Sequence, residues 1–145
     1  DQENQSHPLD TDHFDVLRQR FSDLLGDRVQ EVRSSQTLVD NPARLVSSDT
    51  GVQRQMFRIN RLLDRDYELP VKILELNLRH PLLHNLSHLL AERPSDPLID
   101  LIVHQVFETA LLQDGIHPDP ASMAQRLTQI MQAATRSAGG DDASE

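Results

Sequence analysis

The chain has 145 residues, a length that fits a single domain of ordinary size. Its formal net charge of −9 disfavours nucleic-acid binding, which needs a basic face, and it also disfavours anionic membrane surfaces. The absence of cysteine excludes disulfides, thiol catalysis and thiolate metal sites, and it weakly suits the reducing cytoplasm, where we expect the protein to reside.

The first half of the chain predicts a helix followed by strands. Residues 1–11 are polar and rich in turn formers, so we expect the remnant of a linker. A helix then begins at Asp12, with Asp15 in a capping arrangement, and ends before Gly26; its apolar residues form one stripe. Strands are predicted over Val29–Ser35, Ala43–Ser47 and Val71–Leu76, with a helix over Gly51–Leu63.

The second half predicts three helices. Pro81 fits the first turn of one helix, and Asp96 followed by Pro97 fits the N-cap and first turn of the next. The last helix follows Pro118 and Pro120. We predict an α+β domain over residues 12–136, with a small mixed sheet, flanking helices and a C-terminal helical hairpin, and a disordered acidic tail over residues 137–145.

The helix from Leu98 to Leu112 is apolar nearly all round, so it must be covered on more than one side. One interpretation is a closed monomeric bundle in which this helix is simply core. The other is a homodimer in which two helical hairpins meet as a four-helix bundle, since two-fold symmetry is the commonest in oligomers. Periodicity does not separate the two interpretations.

Two motifs resemble the C-terminal domain of the heat shock protein 90 chaperone family. Residues Glu75–Leu82 read ELNLRHPL and residues Phe107–Leu112 read FETALL, followed by Gly115. The family carries similar E-x-N-x-x-H-P-L and F-E-T-A-L-L-x-x-G segments. Further similar stretches lie in the family's order from Phe14 to Met131, among them LLGDRV from Leu24 and MFRI from Met56. The eukaryotic cytosolic tail Met-Glu-Glu-Val-Asp is not present, which favours a bacterial or organellar type.

The resemblance implies a homodimer built from the last two helices and a role in contacting unfolded or partly folded client proteins. The implied dimer interface consists of Leu98, Ile102, Val103, Val106, Phe107, Ala110, Met123, Leu127, Ile130 and Met131. The implied client-binding residues, on the Gly51–Leu63 helix, are Val52, Met56, Phe57, Ile59 and Leu63. The family's ATP and magnesium sites would belong to domains absent here, so we expect no catalytic residue, cofactor or enzymatic activity in this chain.

Other interpretations stay open. The stripe of Val52, Met56, Ile59 and Leu63 also fits a helix packed on the sheet. The chain as a whole also fits a self-standing homodimeric scaffold domain without an ATPase. His80, His84 and His88 are spaced to share a helix face and could hold zinc, but no glutamate follows in the H-E-x-x-H manner. We therefore predict no metal site, and a solvated face or a capping role for His80.

Overall fold

The computed structural model describes the backbone of residues 7–47 and 71–143, with side chains up to residue 136. These residues form four helices and three strands: α1 (Thr11–Leu25), β1 (Val29–Ser34), β2 (Ala43–Val46), β3 (Lys72–Leu76), α2 (Pro81–Glu92), α3 (Pro97–Gln113) and α4 (Ala124–Ala143). Short 3-10 turns at Gly26–Arg28 and Pro120–Met123 precede β1 and α4. The α+β class predicted from the sequence is confirmed.

The central strand of the sheet is β3, in the order β1-β3-β2. It pairs parallel with β1 and antiparallel with β2, so the sheet is mixed, as predicted. Leu74 and Leu76 are fully buried among helix residues. Because successive side chains of a strand alternate in direction, Ile73 and Glu75 lie on the opposite face. The sheet therefore has one apolar face against the helices and one face that carries a buried carboxylate.

The core lies between this sheet face and α1, α2 and α3. Leu17 and Phe21, one turn apart on α1, are fully buried, and so are Leu83 of α2 and Val103 of α3. Burying an aliphatic or aromatic side chain of this size contributes about 1.5–3 kcal/mol. The amphipathic stripe predicted for the first helix is therefore the stripe that anchors α1 to the domain.

Local capping residues fix where the helices begin. The predicted start at Asp12 is wrong by one residue, because Asp10 caps α1: its carboxylate accepts the backbone N–H of His13 at 2.8 Å. Asp96 caps α3 as predicted, accepting the N–H of Leu98 at 2.9 Å. Gly26, at φ +54°, ends α1, a conformation that costs glycine little.

The last helix is longer than the sequence predicts. The backbone of α4 stays helical through Ala143, past the domain end predicted at residue 136. Gly139 and Gly140 lie in this stretch, and each weakens a helix by about 1 kcal/mol relative to alanine. The domain boundaries at residues 12 and 136 stay predictions.

Candidate dimerisation surface

Helix α3 has two apolar sides with different surroundings. One side is buried against the sheet and the neighbouring helices, and it consists of Ile99, Val103, Val106, Phe107, Ala110 and Leu111. On the other side Leu98, Leu101 and Ile102 are only half-buried, and Leu112 is 45% exposed. The core thus accounts for one side of this helix, and the second side is covered only in part.

The partial cover comes from α4, which returns antiparallel along α3. Met123, just before α4, is buried and places its sulfur 3.4 Å from Nε2 of Gln105. Toward the other end, Gln132 and Ala133 line a groove together with Leu98 and Leu101. The short connection between α3 and α4 favours this antiparallel arrangement. The two helices form the hairpin that the sequence predicts.

The outer side of α4 carries an exposed apolar stripe. Leu127 is 38% exposed, Met131 is 58% exposed, and Ala134 continues the stripe one turn later. These residues are spaced i, i+4 and i+7, so they lie on one face of the helix. Large apolar side chains aligned in this way on a helix are typical of a surface that packs against another helix.

The ten residues predicted for the dimer interface divide into two groups. Five of them are buried within one chain: Val103, Val106, Phe107, Ala110 and Met123. Leu98, Ile102 and Ile130 are half-buried, and Leu127 and Met131 are exposed. Only the second group offers area to a partner, and we call these five residues the hairpin surface. The five predicted client-binding residues, Val52, Met56, Phe57, Ile59 and Leu63, lie outside the described residues.

A buried carboxylate joins the hairpin to the rest of the domain. Glu108 of α3 is 7% exposed and accepts a hydrogen bond from Arg126 of α4 at 2.9 Å. Its other oxygen accepts from Nε2 of His117 at 2.9 Å. Arg28, in the 3-10 turn before β1, lies 3.5 Å away and stacks over Phe107, with 4.6 Å from its guanidinium carbon to the ring centroid. We call Arg28, His104, Glu108, His117 and Arg126 the Glu108 cluster.

Burial and charge act in opposite directions on this carboxyl. Burial alone would raise the pKa of Glu108, but the hydrogen bonds from His117 and Arg126, together with the charges of Arg126 and Arg28, bring it below its ordinary value. Glu108 is therefore ionised at neutral pH. Its negative charge is balanced locally by arginines from two other elements.

The geometry fixes the tautomer of His117. Its Nδ1 accepts the backbone N–H of Asp119 at 3.0 Å, so this nitrogen carries no proton. Its Nε2 therefore carries the proton and donates a hydrogen bond to Glu108. The His117 side chain is only 4% exposed. Both nitrogens are used, one within the turn and one toward α3.

The histidine row His80, His84 and His88 includes the N-cap of α2. His80 caps the helix: its Nδ1 accepts the N–H of Leu82 at 3.0 Å, which confirms the predicted capping role. His88 is 74% exposed and lies 3.1 Å from Glu92. Among residues 7–47 and 71–136, no three histidine or carboxylate side chains converge as metal ligands would. The side chains of the row thus have separate surroundings.

Sequence reasoning missed the Glu108 cluster. Glu108 stands in a helix that is otherwise apolar over most of its surface, and a carboxylate there must find buried partners. That signal was present in the sequence. The partners were not, because Arg28, His117 and Arg126 come from three other elements and their proximity depends on the fold.

No helix in the described part of the chain is long and apolar enough to cross a membrane.

Comparison with known proteins places the chain in one family. The family model described as "Hsp90 protein" matches residues 1–145. A protein from Oleidesulfovibrio alaskensis described as "Chaperone protein HtpG" is 37% identical over 119 residues, which are 82% of this chain and 19% of that protein.

Relatives with the same description occur in other bacteria. The protein of Nitratidesulfovibrio vulgaris is 38% identical over 82% of this chain and 19% of its own length. That of Desulfitobacterium hafniense is 38% identical over 80% of this chain and 18% of its own length. The chain thus spans about a fifth of the curated relatives that it matches. With its whole length matched by the family model, the chain belongs to the Hsp90 protein family.

Proposed function

We propose that this chain is the C-terminal dimerisation and client-contact region of an Hsp90-family chaperone that acts in the cytoplasm. Its relatives are described as HtpG chaperones, and the chain covers about a fifth of their length. In this proposal two copies pair through the α3–α4 hairpin and form a four-helix bundle around a two-fold axis.

One observation carries the proposal: the hairpin surface is apolar and incompletely covered within one chain. Leu127 and Met131 on α4 are exposed, and Leu98, Ile102 and Ile130 beside them are half-buried. A two-fold axis along the hairpin would bring the same stripe of a second copy onto this one. Each copy would then cover the side of α3 and α4 that its own core leaves open.

The energetics require more than the two exposed side chains. Fully burying one leucine or methionine contributes about 1.5–3 kcal/mol, and association itself costs roughly 4–15 kcal/mol in lost freedom of movement. The half-buried residues on both copies must therefore contribute too. We expect an interface that buries about 1,500 Å² or more in total, the size of a stable specific complex.

Substitution on the exposed stripe tests dimerisation without touching the core. Leu127→Asp and Met131→Asp should each weaken the dimer at least about a hundredfold, because burying an unpaired charge costs several kcal/mol. Val16→Asp is the matched control, since Val16 on α1 is 58% exposed, the same as Met131. Sedimentation equilibrium of the 145-residue chain measures the dissociation constants, and circular dichroism checks that each variant is folded.

Two outcomes would contradict the proposal. The first is an unsubstituted chain that stays monomeric at tens of micromolar. The second is equal weakening by Val16→Asp and Met131→Asp, because α1 would then belong to the interface as much as the hairpin does. Val106 is a poor test position, since it is 6% exposed and a charge there would unfold the domain.

The client-contact part of the proposal rests on sequence and family. The spacing of Val52, Met56, Ile59 and Leu63 in the sequence fits one stripe of a helix, with Phe57 outside that spacing. The flexible thioether of methionine suits contacts with varied partners. If Met56 is exposed and contacts clients, Met56→Ser should leave the melting temperature of the domain nearly unchanged. The full-length chaperone that carries this change should then protect a heat-denatured client less well against aggregation. If Met56 is instead core, the same change should destabilise the domain by about 2 kcal/mol or more, with client protection per folded molecule retained.

In this proposal the chain has no nucleotide site and no catalytic activity. ATP would be bound and hydrolysed by the larger part of the relatives' length that this chain does not span. The sequence contains no G-x-x-x-x-G-K-[ST] loop, and its acidic balance repels polyphosphates. Calorimetric titration with Mg-ATP should accordingly give no binding in the low micromolar range.

A further inference from the structure

The Glu108 cluster lies where the hairpin turns back on itself. His104 and Glu108 belong to α3, His117 to the connecting turn, Arg126 to α4, and Arg28 to the 3-10 turn before β1. Hydrogen bonds among them tie α4 and the connecting turn to α3. Whatever changes the charge of this cluster therefore acts on how α4 sits against α3.

Adding a proton to His117 would break a defined contact. The free site on the ring is Nδ1, which faces the backbone N–H of Asp119. Two N–H groups cannot face each other across 3.0 Å, so protonation removes this hydrogen bond. Asp119 in turn accepts hydrogen bonds from the backbone and the hydroxyl of Ser122, which form the turn that leads into α4. Protonation thus acts on the first residues before α4.

A second histidine of the cluster, His104, also accepts a hydrogen bond at its Nδ1. Nδ1 of His104 lies 3.4 Å from the Arg28 guanidinium, a contact in which the arginine donates and the histidine accepts. Burial, and then the charges of Arg28 and Arg126, lower the pKa of His104, while Asp100 and Glu108 oppose that shift. The stabilisation from neutral His104 is complete above the ordinary value of 6.5 and is lost as the pH falls through the lowered pKa.

The charged groups near the two rings include both arginines and carboxylates. Arg28 and Arg126 already share the one carboxylate of Glu108. Among the described residues, Asp100 opposes the pKa shift of His104, Asp27 lines the same cavity as His117, and Asp119 follows His117 by two positions. Protonated histidines would add positive charge beside two arginines that share one buried carboxylate. Glu108 lies beside both rings, but its carboxylate already accepts hydrogen bonds from three donors.

We propose that the Glu108 cluster is a proton-sensitive latch: when His117 and His104 take up protons, α4 loosens from α3 and the hairpin surface loses the geometry needed for dimerisation. The link to dimerisation rests on the proposed function. The loosening of α4 does not, because it concerns contacts within one chain.

The test compares the 145-residue chain with the double variant His104→Gln/His117→Gln at pH 7.5 and pH 5.5. Glutamine keeps a donor and an acceptor near each position but does not titrate. Sedimentation equilibrium should show the unsubstituted dimer weakening several-fold at pH 5.5, because the folded hairpin needs both Nδ1 atoms free of protons. The double variant should weaken less than about twofold. His88→Gln, at an exposed histidine on α2, should behave like the unsubstituted chain.

Hydrogen exchange of the α4 amides at pH 5.5 is the second measurement, because comparing proteins at one pH cancels the intrinsic pH dependence of exchange. Residues 124–136 should exchange several-fold faster in the unsubstituted chain than in the double variant, and equal rates would overturn the latch. If the double variant is poorly folded at pH 7.5, the single variants His104→Gln and His117→Gln, each measured against its own pH 7.5 value, take its place. A chain that is monomeric at pH 7.5 would overturn the dimer proposal, and the exchange rates would still decide the latch.

Discussion

Two buried glutamates in this domain are each held by two arginines, yet they are positioned in different ways. Glu75 lies in the central strand, where its carboxylate accepts from Arg33 of β1 at 2.8 Å and from Arg44 of β2 at 2.9 Å. Both arginines are its direct register partners in the neighbouring strands. Backbone pairing of the sheet therefore brings these three side chains together, and the ion pairs follow from the register.

Glu108 has no such template. Its partners come from a 3-10 turn, a connecting turn and a separate helix, and no backbone ladder joins those elements to α3. Here the side-chain contacts themselves fix how the elements sit together. The comparison indicates that ion pairs within the sheet add modest stability to a geometry already determined, while those of the hairpin help to determine the geometry.

The two sites also differ in how much water reaches the partners. The arginines beside Glu75 are 46% and 42% exposed, so solvent screens both charges. Of the partners of Glu108, His117 is 4% exposed and Arg126 is 23% exposed, although Arg28 is 44% exposed. A hydrogen bond of a given length therefore contributes more to stability in the hairpin than in the sheet, because water competes less for its polar groups.

The largest expected effect comes from Glu108→Gln, measured beside Glu75→Gln. Both changes are isosteric, and each removes one charge. We expect Glu108→Gln to lower the free energy of unfolding by about 2 kcal/mol, in the range for hydrogen bonds to charged groups. Glu75→Gln should cost about 1 kcal/mol, since its partners are solvated. Urea denaturation followed by circular dichroism measures both, a suitable probe for a chain with no tryptophan.

The same pair separates stability from assembly. Glu108→Gln should also weaken the dimer, by about tenfold if 1.4 kcal/mol of hairpin geometry is lost, whereas Glu75→Gln should leave the dimer dissociation constant unchanged. Equal effects of the two changes on the dimer would show that the hairpin contacts add only stability. In both sites the carboxyl pKa lies below its ordinary value of 4.5, so the stabilisation is complete above that pH and is lost as the pH falls through the lowered pKa.

The sequence predicted the elements that depend on local chemistry. Asp96 and Pro97 marked the start of α3, Gly26 marked the end of α1, and the α+β class with a mixed sheet was confirmed. Each of these features depends on residues a few positions apart, because caps, turns and amphipathic stripes are local patterns. The same applies to His80, whose capping partner is two residues away.

Features that depend on distant residues were not accessible in this way. The order β1-β3-β2 follows from packing across the sheet, and the partners of Glu108 lie up to 80 residues away along the chain. Periodicity also could not divide the apolar residues of α3 between core and surface. Val103 and Ile102 are both apolar neighbours on the same helix, but the fold buries the first completely and leaves the second half-buried.

The smallest expected effect concerns a polar contact that is local from the start. His80 caps α2 through Nδ1, so His80→Ala should lower the free energy of unfolding by about 1 kcal/mol, the usual cost of losing an N-cap, without changing the dimer. Burial lowers the pKa of His80, partly opposed by a hydrogen bond to the backbone of Asp40, so the cap is fully effective above pH 6.5 and weakens as the pH falls through the lowered pKa. His80→Asn keeps a capping acceptor that does not titrate, and its stability relative to the unsubstituted chain should rise between pH 7.5 and pH 5.5. Urea denaturation at the two pH values measures this difference, and a constant difference would mean that protonation of His80 leaves the cap intact.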